Sequence, residues 1–140
     1  MIQNRKIEFH QNDFLRLDNH LDAVCLSVSE PNNYLFSEFS KRNPGIEYSI
    51  IEIDPKVLYE IKNENFEVQK IFSDYNAASR YSLTSKVDME IMFKERIRRK
   101  AKVHTRVGKE IYQPTSSQAE ILFFGDIPSK YIIKTSKFDI

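Results

Sequence analysis

The stretch AEILFF, residues 119–124, limits the chain more than any other. Four apolar residues run without a break from Ile121 to Phe124. Thr115-Ser116-Ser117-Gln118 precedes them and Gly125-Asp126 follows. That length suits a buried strand and is short for a helix, so the chain has to build a sheet around it. A carboxylate, Glu120, sits at the mouth of the run, with an amide, Gln118, two residues earlier. Side chains at i and i+2 of a strand point the same way, so a strand reaching back to Gln118 places both groups in one cleft. A carboxylate there can accept a hydrogen bond from a sugar hydroxyl and offset the charge of an adjacent oxocarbenium ion, provided it acts more strongly on the transition state than on the substrate. The same pattern also reads as a solvated strand end, where a glutamate is ordinary.

A second strand is expected over Ala23–Ser29, AVCLSVS. Val24, Leu26 and Val28 fall on one face and Cys25, Ser27 and Ser29 on the other. Ser27 and Ser29 are candidates to line the same cleft. Ser29 is alternatively the cap of the following helix, with Pro31 in its first turn. Leu35, Phe36 and Phe39 share one side of that helix, and Arg42-Asn43-Pro44-Gly45 ends it as a turn. IEYSIIEI, residues 46–53, reads as a buried strand. Asp54-Pro55 repeats the cap-then-proline signal before a short helix with Val57, Leu58 and Ile61. Residues 65–72 are expected to be extended and 75–81 to form a helical turn. Met89, Phe93, Ile97 and Ala101 recur every four residues and predict a helix over Lys86–Ala101. Residues 103–113 read as loop and KYII, residues 130–133, as a last strand. The order is roughly β-α-β-α-α-β-β, an α+β class, and 140 residues match one domain spanning 1–140.

The net charge of +1 conceals a local excess. Residues 96–109 hold seven positive charges and no acid, so without them the chain stands at −6. Arg98, Arg99, Lys100, Lys102 and Arg106 are the candidates for nucleic-acid phosphates, and Tyr81 and Tyr112 supply stacking surfaces nearby. The bland alternative is a solvated helix face followed by a loop.

Several chemistries are disfavoured. Three glycines in the whole chain leave little room for a phosphate-cradling loop, and there is no Walker loop, GxGxxG or GxSxG. Cys25 is the only cysteine, which excludes an internal disulfide and a Cys-based zinc site. Placed within an apolar strand, it reads as an inert core thiol. His10, His20 and His104 match no zinc spacing, and no metal is expected. No apolar run approaches the ~18 residues of a membrane span. The polar amino terminus has no apolar segment of a signal peptide, so a reducing cytoplasm is the expected setting.

The segments RLDNHLDAVCLSVSEPNNYLF (16–36), EYSIIEIDPKVLYE (47–60), NAA (76–78), MF (92–93) and YQPTSSQAEILFFGDIPSKYI (112–132) follow one another in the order seen in DarT-type DNA ADP-ribosyltransferases, the toxins of DarT–DarG toxin–antitoxin systems. The chain resembles that family over about residues 16–135, most specifically in the last segment. The resemblance implies an ADP-ribosyltransferase fold, a split β-sheet with flanking helices and NAD in the cleft. It implies a glycosyltransferase-type reaction in which ADP-ribose passes from NAD, as substrate, to a thymidine or guanosine base of single-stranded DNA, and a macrodomain antitoxin that reverses it. Carried over by position, Glu120 matches the catalytic glutamate and Gln118 the residue two before it. The resemblance makes Arg16 a candidate NAD or DNA contact; Ser27 and Ser29, read from the polar face of their strand, are expected to join Gln118 and Arg16 in the NAD site. The family carries an NAD-gripping segment with a histidine ahead of the first matched stretch; this sequence is expected to begin after it. It also lacks the basic residue that often follows the proline at position 31. An alternative expectation is therefore a catalytically decayed module of the same fold that binds nucleic acid or protein; RNA and protein are further possible acceptors.

Overall fold

A computed structural model describes residues 23–61, 69–76, 82–99 and 102–137. They divide into two compact units, a sheet unit (23–32, 69–76, 82–99 and 102–125) and a helical unit (33–61 and 126–137). Among the described residues the chain is mixed α and β with sheet predominant.

The sheet unit is organised by four antiparallel strands, β1 (Ala23–Ser27), β3 (Lys70–Ser73), β4 (Thr84–Ser85) and β7 (Glu120–Phe124), in the order β1-β7-β3-β4. The AEILFF stretch supplies β7, paired on both sides, with all five of its residues buried. The registers place Ala23, Cys25 and Ser27 on the same face as Phe124, Leu122 and Glu120, and Ile71 and Ser73 beside the last two. Ile71, Leu122 and Phe124 form an apolar cluster there, with Ala23 against it. Ile121, Phe123 and Phe72 occupy the opposite face and are also buried. Beyond Glu120, β7 is apolar at every position, as suits a strand covered on both faces. Gln69 extends the β3–β7 ladder: its carbonyl accepts from the Phe124 amide, and its side-chain amide donates to the Phe124 carbonyl.

The helix expected over Lys86–Ala101 does not form. Ser85 Oγ accepts from the amides of Val87 and Asp88, and the Asp88 carboxylate accepts from Glu90 N at 3.0 Å, opening a 3₁₀ turn at Met89–Phe93. Lys94 is extended (φ −60°, ψ 148°). The chain then enters β5 (Arg96–Arg99), paired antiparallel with β6 (Lys102–Thr105). A spacing of four is twice the strand period as well as about one helical turn, so the stripe fitted both. Ile97, 2% exposed between exposed Arg96 and Arg98, shows the strand alternation. The region expected to be loop from residue 103 thus begins as β6.

In the helical unit, α1 (Asn33–Arg42) ends at the expected turn, where Gly45 takes a φ of 91° that few other residues tolerate. The Phe36 ring makes edge contacts with Phe39 and Tyr48. Ser29 is not the cap of this helix, since the helix begins four residues later. The 46–53 run gives β2 (Ser49–Ile53), which among the described residues pairs with β8 (Ile132–Lys137) alone. It is not the buried strand expected: Ile51 is 49% exposed. Between them lies α2 (Val57–Glu60), with Val57 and Leu58 buried and Asp54 Oδ1 accepting from Lys56 N at 3.0 Å. KYII is divided between a 3₁₀ turn at Ser129–Tyr131 and the start of β8. The Tyr131 hydroxyl donates to Glu60 Oε2 at 2.8 Å. That bond, then burial and the negative charges of Glu60 and Asp54, raise the phenol's pKa above its usual value near 10.

Candidate functional site

The chemistry-bearing residues of the sheet unit gather at one end of the four-stranded sheet. β1 and β3 run antiparallel to β7, so the ends of the first two meet the start of the third. β1 ends in Ser27, β3 ends in Ser73 and β7 begins with Glu120, and both serines are in register with Glu120. Thr84 stands opposite Ser73 on β4. Directly paired residues point to the same face, with Cβ atoms about 5 Å apart. Ser27, Glu120, Ser73 and Thr84 thus make a polar row that ends the apolar face carrying Leu122, Ile71 and Phe124. Glu120 is 8% exposed and Ser73 fully buried, while Ser27 and Thr84, on the flanks, are open to solvent.

Gln118 is placed differently from the expectation. The strand starts at Glu120, so alternation does not aim its side chain. Residues 116–119 form a turn in which Ala119 N donates to Ser116 O at 3.0 Å and Gln118 N to Ser116 Oγ at 3.2 Å. The Gln118 amide Nε2 donates to the Tyr75 hydroxyl at 2.9 Å. The Tyr75 ring in turn lies 5.7 Å from that of His104 on β6. Just beyond β3, Asp74 is buried; its carboxylate accepts from Leu83 N at 2.9 Å and its amide donates to Leu83 O at 3.0 Å, continuing the pairing toward β4.

Ser29 lies beyond β1 with a φ of 62°, in the left-handed region, and Glu30 N donates to Val28 O across it at 2.8 Å. A serine held there stores roughly 1–3 kcal/mol of backbone strain. Cys25 is not a core thiol: it is exposed on β1, which ends the four-stranded sheet among the described residues. Arg16, His10, His20, Lys100 and Tyr81 lie outside the described residues.

The basic run is a ribbon rather than a helix face. Arg98 pairs with Val103 and, with Arg96, belongs to its outward face; Lys102, paired with Arg99, belongs to the face of Ile97 and His104. Arg98 and Lys102 are both exposed. Arg106 serves a different purpose. Its guanidinium donates to Thr115 Oγ1 at 3.1 Å and to Glu110 O at 2.9 Å and lies over the Phe93 ring. Thr115 closes the arrangement by donating from its hydroxyl to Lys94 O and from its amide to Met92 O. Arg106 therefore fastens the turns of residues 106–113 to the body of the unit. Those turns carry Tyr112, 63% exposed.

Ser73 and Tyr75 are the residues the sequence reading missed. A signal for Ser73 was present: KIFS, like AVCLS, is a short apolar run ending in serine. Nothing in the sequence marks Tyr75, because its partner Gln118 is 43 positions away.

No protein-family model and no curated protein matches the chain. Among the described residues no helix is long and apolar enough to cross a membrane, and no cluster of three or more His, Cys, Asp or Glu side chains is arranged to hold a metal ion.

Proposed function

We propose that the chain is an ADP-ribosyltransferase-type domain, resembling the DarT toxins, that transfers ADP-ribose from NAD to a base of single-stranded DNA with Glu120 as its catalytic residue. The position of Glu120 carries this reading: a buried carboxylate at the start of the central strand, in register with a serine on either side. Breaking the nicotinamide–ribose bond sends its electron pair to nicotinamide and leaves positive charge on the ribose. A carboxylate withdrawn from water offsets that charge more strongly than an exposed one. Glu120 also accepts a ribose hydroxyl proton in a hydrogen bond, which orients the sugar for attack by the base. Ser27 and Gln118 border the same end of the sheet and are the further NAD contacts. Tyr112 offers a ring on which an acceptor base can stack, and Arg96 and Arg98 offer charge to its phosphates. A macrodomain antitoxin that removes the ADP-ribose is the partner this chemistry calls for.

The test is mass spectrometry of a single-stranded oligonucleotide after incubation with NAD and the protein. The expected product is heavier by one ADP-ribose, and Glu120→Gln lowers its rate by about 10²- to 10³-fold. Absence of any adduct at high protein concentration overturns the reading. The exposed Arg96 and Arg98 ribbon favours one second reading, a nucleic-acid-binding module without turnover. Salt-dependent oligonucleotide affinity, weakened by Arg98→Ser and accompanied by no transfer, is its signature.

A further inference from the structure

We infer that Tyr75 is the positioning residue that holds Gln118 ready at the polar end of the sheet; the role rests on the ADP-ribosyl-transfer reading above. The geometry starts at Ser73, next to Glu120 in the sheet and fully buried. Its hydroxyl donates to Tyr75 O at 2.7 Å, which closes a tight bend as the chain leaves β3 and fixes the backbone of Tyr75. The His104 ring, tilted 53° to that of Tyr75, flanks its side chain. The phenolic oxygen is thereby set where it accepts from Gln118 Nε2 at 2.9 Å.

Gln118 is held twice, its backbone by Ser116 Oγ and its amide by Tyr75. The bond to Tyr75 uses the donor end of the amide, which leaves the role of acceptor for a hydroxyl or N–H of a bound nucleotide to Oε1. Glutamine is among the side chains that lose most freedom on being ordered. Tyr75 makes that ordering part of folding instead of part of binding, which favours affinity. The chain of contacts from Ser73 through Tyr75 also links Gln118 to the serine that lies beside Glu120 in the sheet.

Tyr75→Phe tests this, because it removes one oxygen and keeps the ring beside His104. In the transfer assay, KM for NAD rises about fivefold while kcat changes less than about twofold, as expected for one neutral hydrogen bond that prepares a binding group. In a Gln118→Ala background the same substitution has no further effect, since Tyr75 acts only through the amide. An unchanged KM, or losses that add in the double variant, overturns the inference. If the wild-type protein transfers no ADP-ribose, the functional reading has failed and a second measurement decides the positioning by itself. In ¹⁵N–¹H spectra the Gln118 side-chain amide pair shifts in Tyr75→Phe at unchanged melting temperature if Tyr75 holds it; an unmoved pair overturns the inference.

Discussion

Two five-residue apolar runs, EILFF in β7 and SIIEI in β2, end in opposite circumstances. β7 has a strand on each side and side chains covered on both faces; Phe123 is fully buried. Among the described residues β2 has one neighbour, β8, and its central Ile51 is half exposed. The contrast teaches that an apolar strand is buried by the number and placement of its neighbours, not by its own composition. It also bears on chemistry. Glu120 is withdrawn from water because it opens the strand with two partners, whereas Glu52 on β2 lies exposed opposite Lys134.

The largest expected effect is on the strands themselves. Phe123→Ala should cost about 3–5 kcal/mol, against less than about 1 kcal/mol for Ile51→Ala, read from urea unfolding midpoints. Equal losses would break the comparison. Next is the fastening beside the central strand. Thr115→Val keeps the shape but strips the hydroxyl from between Arg106 and Lys94, and should cost about 1–3 kcal/mol and speed proteolysis within residues 107–113. No loss would mean that the loop is held by other groups. The smallest effect is in the helical unit and depends on pH. Tyr131 has its folded pKa raised, so its contribution is complete below the unfolded value near 10 and is lost as pH climbs through the folded one. Melting temperature followed from pH 8 to 11 should show that extra alkaline decline in the wild type and lose it in Tyr131→Phe. A decline of equal size in both would detach it from Tyr131.

Much of the fold was legible where local signals agreed. The AEILFF strand, the α1 helix with its Arg42–Gly45 stop and the Asp54-Pro55 helix start were read correctly because turn chemistry and apolar spacing pointed the same way. The Lys86–Ala101 segment was misread because period four serves both helix and strand, and the deciding groups, Ser85 and Asp88, act through backbone amides that no periodicity displays. Glu120 was singled out by its position at a strand's mouth. Its surroundings were only partly legible: Ser27 is in register with it, whereas Gln118 is aimed by a turn. Charge alone does not show that Arg106 also holds a loop through Thr115 and the Glu110 carbonyl.

The sequence by itself determined which residues are apolar enough to form strands and that three short runs carry a polar residue at one end. Those are properties of neighbouring residues along the chain. Only the tertiary structure decided that the three polar ends coincide, because antiparallel pairing of β1 and β3 with β7 sets end against start across nearly a hundred positions of sequence. It alone decided that Tyr75 meets Gln118 and that two similar apolar strands differ in burial, since burial depends on what the rest of the chain brings alongside.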